Sequence, residues 1–257
     1  MMSVEVEQRG LSPWHVLLFA GGYLAAAWGV FFVVDVGNVA GLRDRLIATG
    51  LQDPTIWHRL FMEGGVTEML QWMTLGIAGV LAAMLAGRCW HAADPSERAA
   101  ARFWLIMSVA LTVMLIEDAG NPRHQVRQWA HTASGSFFVS MLAEGVCFLL
   151  IAAVPVYAVL RYGRTMWGYR NTRWYLLIGF ATYATVSTFS ASRHVGEWYI
   201  AAGTWIHAMV GGDLVRYDHH QPLEFWLMDW LVEETLELIG AAFMLAAGVA
   251  FFHERRR

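Results

Sequence analysis

The chain has 257 residues, 57% of them hydrophobic and only 15% charged, well below the roughly 25% charged share of an ordinary soluble domain. That composition excludes a soluble catalytic domain and makes lipid the solvent. A formal net charge of −3 also excludes nucleic-acid binding as the main role, because phosphate backbones demand a concentrated basic excess.

Apolar runs of about twenty residues recur along the chain and predict an all-α, polytopic integral membrane protein of six helices in three hairpins, all in one transmembrane domain. The first span, about 14–35, starts after Ser12-Pro13, a cap followed by proline at the first helical position. It is not a signal peptide: the flank Glu5-Val6-Glu7 lacks basic residues and no small-residue cleavage site follows. The remaining spans are read at 66–87, 102–119, 136–160, 174–192 and 223–252. Residues 37–62, 120–135 and 193–222 are too polar to cross and carry amphipathic pieces such as Leu42–Leu51 suited to the interface. Trp14, Trp57, Trp90, Trp104, Trp174 and Trp226 fall near helix ends and read as interfacial anchors. Cys89 and Cys147 should lie about 20 Å apart in depth, too far for a disulfide.

All 18 basic residues are Arg, and they are unevenly placed. The side holding the N-terminus, the 88–102 and 161–173 connectors and the C-terminus carries 11 Arg against five acids; the other side carries seven Arg against 16 acids. The positive-inside rule then puts both termini in the cytoplasm, with the cell inner (plasma) membrane as the location.

Ionisable residues inside spans are costly and mark function. At 1.5 Å per residue, Glu117, Glu144 and Glu237 lie about 22–25 Å from the cytoplasmic ends of their helices, and Glu68 about 30 Å. His194 and Glu197 end a fifth helix slightly further out. On the sixth helix Asp229, Glu233 and Glu237 are spaced i, i+4, i+8 and predict one carboxylate stripe, with Glu234 about 100° around. Such a stripe needs protons, a cation, or Arg and His partners. The segment Glu117-Asp118-Ala119-Gly120-Asn121-Pro122-Arg123-His124 and the group Arg193-His194 supply partners, and His219-His220 precede the sixth helix.

The expectation is that Glu117, Glu144, His194, Glu234 and Glu237 meet in one cluster under a lid of residues 200–222. Glu237, Glu234, Glu117 and His194 are the catalytic candidates. Glu117, Glu144, His194, Glu197, Glu233 and Glu237 are candidate ligands for a divalent metal such as zinc, iron, manganese or copper. Glu234-Thr235-Leu236-Glu237 resembles the Glu-x-x-Glu core of iron-permease helices over four residues, with Glu233 where that family has Arg and no second copy. It assigns no family.

Three functions compete: a membrane enzyme acting on a lipid or other apolar substrate, a cation or proton transporter, and an accessory subunit docking partner subunits of a membrane complex. The inner halves of the spans, including Phe103–Met114, Phe148–Val159 and Ile239–Phe251, contain no charged residue and no His, which favours the enzyme.

Overall fold

A computed structural model describes residues 10–50, 55–210, 214 and 221–255, and among them the secondary structure is helical with no strand. Helix α1 (Pro13–Val30) continues through a wider π-helical turn, Phe31–Val36. Short helices α2 (Leu42–Ala48) and α3 (Ile56–Phe61) lead to α4 (Val66–Cys89), α5 (Pro95–Gly120), the shorter α6 (Pro122–Ser134), α7 (Phe137–Met166) and α8 (Arg170–Ser192). Helices α9 (Trp198–Val210) and α10 (Leu223–Trp226) follow, and α10 passes through a π-helical turn, Leu227–Glu233, into α11 (Glu234–Glu254).

Among the described residues, five stretches are long and apolar enough to cross a bilayer: Pro13–Val36, Ile56–Cys89, Pro95–Gly120, Phe137–Met166 and Leu223–Glu254. The sixth expected span, 174–192, is a 23-residue helix, α8, diluted by Thr and Ser side chains that bond back to their own backbone, such as Thr182 to the Ile178 carbonyl at 2.9 Å. The start of α1 and the end of α11 meet at one end of the bundle, where His253 Nε2 lies 2.8 Å from the Leu11 carbonyl. Ends on one side require an even number of crossings, so α8 completes the set. At the same end the Glu254 carboxylate accepts from Asn171 N at 2.7 Å and Thr172 N at 3.2 Å, capping the start of α8. Arg255 clasps Glu97 at 2.8 Å there.

Helix α11 is the axis, packed against α1, α4 and α8. Without a hydrophobic drive between helices in lipid, close approach comes from small side chains. Ala241, Ala242, Ala246 and Ala247 are buried, a Cβ at Gly248 would press on Leu81, and one at Gly240 would press on Tyr183. The expected hairpins α5/α7 and α8/α11 pack as pairs, whereas α1 leans mainly on α11 and reaches α4 through Tyr23 Oη and Thr67 Oγ1, 2.9 Å apart. Helix α7 packs on α5 and α6 but barely on α8. Much of it, including Phe138, Leu149 and Leu160, faces outward.

Two expected anchors are core residues instead. Trp57 is wholly buried between His58 and Trp230, and Trp104 packs on Phe103 and Phe251. An aromatic ring near a helix end is buried whenever a neighbouring element passes over it, here the π-helical turn Leu227–Glu233 and the end of α11. Trp14, Trp90 and Trp174 remain exposed. Both cysteines are free.

Candidate functional site

The loose contact between α7 and α8 leaves a chamber of about 580 Å³ bounded also by α5, α4 and α11. Its wall residues order themselves by depth. Toward one end lie Met107, Val159, Leu160, Leu177, Phe180 and Met244, with no charged or hydrogen-bonding group among them. Toward the other lie Gln71, Glu117, Asp118, Arg123, Ser190 and Glu237. The span from Met107 to Asp118 along α5 is about 16 Å, so the chamber is elongated along the bundle and polar only at one tip.

Gln71 organises that tip. Its amide nitrogen donates to Asp118 Oδ2 at 2.6 Å and to Glu237 Oε2 at 2.8 Å, bringing carboxyls of α5 and α11 to one nitrogen. Trp72 Nε1 donates to the same Asp118 oxygen at 3.0 Å. Among the described residues no guanidinium reaches this pair. Glu234 is buried close by, with Oε2 unbonded among the described residues. Glu68 accepts from Gly64 N, in the break between α3 and α4. Gln71 was absent from the candidate set because a neutral amide inside a span carries little signal; its position one turn after Glu68 was the available clue.

The remaining candidates form a second, charge-alternating chain across the mouth. Arg123 lies 3.1 Å from Glu117, 3.9 Å from Glu144, and donates to Ser190 Oγ at 3.2 Å. Glu144 also meets His124 at 3.3 Å and Arg127 at 3.2 Å. Arg193 pairs with Asp229 at 3.1 Å, and Tyr199 donates to Glu233 at 2.6 Å. Arg127 reaches the His194 ring at 3.3 Å. Burial first, then the Arg193 and Arg127 guanidiniums, pushes the His194 imidazole below its ordinary range. Burial likewise holds the Tyr199 hydroxyl well above its ordinary range, helped by Asp229 and Glu233.

The expected single cluster is therefore two: Glu237 and Glu234 belong to the carboxyl tip, Glu117, Glu144 and His194 to the arginine chain. The single stripe on the sixth helix is also corrected. The π-helical turn Leu227–Glu233 holds its wider i→i+5 pitch, which offsets the helix phase by about one residue, or about 100°. Asp229 and Glu233 accordingly face Tyr199 on α9, while Glu237 faces Gln71 on α4. Glu197 is not beside His194 on a helix, because α8 ends at Ser192 and Gly196, at φ +71°, turns the chain; its side chain is exposed.

The geometry gives the metal expectation no support. Among the described residues no group of three or more His, Cys, Asp or Glu side chains is arranged to hold a metal ion. Glu144 spends its oxygens on two arginines and His124, Glu117 faces Arg123 and Glu233 faces Tyr199, so Glu117, Glu144, His194, Glu197, Glu233 and Glu237 do not form one donor set. Of the expected lid, α9 packs on α10, and 211–213 and 215–220, including His219 and His220, lie outside the described residues. No known protein-family model, curated protein or solved structure matches the chain.

Proposed function

We propose that the chain is a multi-pass enzyme of the cell inner membrane, with both termini cytoplasmic, that performs acid–base chemistry on a lipid-like amphiphile. The observation that carries this reading is the chamber: apolar over most of its length, open where α7 and α8 part, and tipped by a carboxyl pair. An acyl or isoprenoid chain would fill the apolar length, and its polar end would meet Asp118 and Glu237. Two carboxyls held on one amide, with no guanidinium bonded to them among the described residues, suit holding and releasing a proton at the reacting group. Glu117 and Arg123 would orient that group, with Gln71 positioning the pair. The apolar inner end supports this over an ion or proton path, which would need polar steps through the bilayer.

The test has two parts. Native mass spectrometry of the purified protein should find a bound lipid, and Ala152→Trp, which fills the chamber from α7, should remove it. Incubation with a total membrane-lipid extract should then consume one lipid class with wild type and not with Glu237→Gln. Retention of no lipid, or equal consumption by the variant, would overturn the reading.

A further inference from the structure

Beside the chamber mouth lies a second, separate crevice of about 370 Å³, between α6 and the start of α7, lined by His124, Arg127, Gln128, His131, Phe137 and Ser140. None of the lining residues is acidic. Helix α6 itself, Pro-Arg-His-Gln-Val-Arg-Gln-Trp-Ala-His-Thr-Ala-Ser, contains no carboxylate. Arg123, Arg127 and His131 are spaced i, i+4, i+8 and form one stripe of nitrogen donors about 12 Å long, running from the chamber mouth into the crevice. Arg127 is only partly committed: its NH1 serves Glu144 and His194. The side chains of Gln128 and His131 are exposed and make no hydrogen bond among the described residues. At 13 residues α6 is too short to span, and exposed Trp129 on it and Phe137 at the start of α7 are placed as interfacial rings would be. These features put several hydrogen-bond donors around one crevice on a helix suited to headgroup depth.

We infer that this crevice is an anion site for a phosphate group, held by Arg127, Gln128 and His131, and that the amphiphile accepted by the chamber is a phosphorylated one. The guanidinium fork and a ring N–H suit phosphate oxygens. The placement of the amphiphile's chain rests on the reading above, whereas the phosphate contact stands on the crevice alone.

The test uses full-length protein in detergent, loaded with phosphatidic acid or with diacylglycerol, which differ only in the phosphate, and read by native mass spectrometry. Inorganic phosphate is titrated in parallel by calorimetry. Phosphatidic acid should be retained in preference to diacylglycerol, and retention should fall at least about tenfold in His131→Ala and further in Gln128→Glu, which adds a like charge. Both positions are exposed, so both variants should fold. If inorganic phosphate binds with the same sensitivity to these variants, the site takes free phosphate, and the anion assignment stands. If phosphatidic acid shows no preference and inorganic phosphate does not bind, or if both variants match wild type, the inference is overturned. Ala152→Trp separates the two readings: phosphate binding that persists while lipid retention is lost supports both. Lipid retention unchanged in Ala152→Trp but lost in His131→Ala sinks the chamber and leaves the crevice.

Discussion

Tyr199 illustrates how a single hydroxyl holds two buried acids. It donates to Glu233 at 2.6 Å and lies 3.3 Å from Asp229, and its ring is fully buried against Phe225 and Trp198. Tyr199→Phe keeps the packing and leaves the Glu233 carboxyl short of its donor, which should cost about 1–3 kcal/mol. Thermal unfolding in detergent measures this, with the exposed Tyr157→Phe as a neutral control. His194 gives the pH dependence. Its folded-state affinity for a proton is below that of the unfolded chain, so the unfolded chain binds the proton first as pH falls below about 6.5. The contribution is present above that pH and is lost on acidification. Between pH 7.5 and 5.5 wild type should therefore lose more thermal stability than His194→Gln, which cannot titrate. An equal loss in both would assign the acid sensitivity to other groups.

At the scale of elements, the close approach of α9 to α10 beside the site is made by a glycine. A Cβ at Gly203 on α9 would collide with the backbone of Glu224 on α10, so Gly203→Ala must push the two helices apart. The expected cost is about 1–3 kcal/mol from overpacking, with loss of the Tyr199 to Glu233 bond that depends on this docking. Gly21, on α1, has open space at its Cβ, and Gly21→Ala should be neutral or stabilising by up to about 1 kcal/mol. A larger loss at Gly21 than at Gly203, in parallel melting curves, would contradict this packing. The helices themselves were legible as apolar runs, and their acids at a shared depth did come to one end. What the runs conceal is phase. Regular 3.6-residue periodicity puts Asp229, Glu233 and Glu237 on one face, and only the backbone reveals the π-helical turn that divides them. Partner choice was equally hidden: Glu117 and Glu144 lie at the depth of Glu237, yet the chain break at Asn121, with φ +47°, returns Arg123 and Arg127 onto them and leaves Glu237 to Gln71.

Over the whole molecule, the arrangement is polarised. One end gathers Leu11, His253, Glu97, Arg255 and the start of α8, and the other holds the carboxyl tip and the arginine chain. Because these contacts tie Leu11 and His253 to a single end, orientation in the bilayer is one binary choice, and the Arg excess is the ground for the orientation proposed. Around that first end stand Arg88, Arg98, Arg102, Arg161, Arg164, Arg170 and Arg173 in addition to Arg255. Translocating them would oppose the charge bias that sets topology, whereas the opposite end has an excess of acids. A C-terminal fusion to alkaline phosphatase, which is active only after export, should consequently be inactive, and the matching fusion to green fluorescent protein should fluoresce. The carboxyl tip and the α6 crevice would then face the outer leaflet, and the amphiphile would have to come from that leaflet through the gap between α7 and α8. An active phosphatase fusion would invert the molecule, put the site at the cytoplasmic leaflet, and change which lipids can reach it while leaving the chamber's chemistry intact.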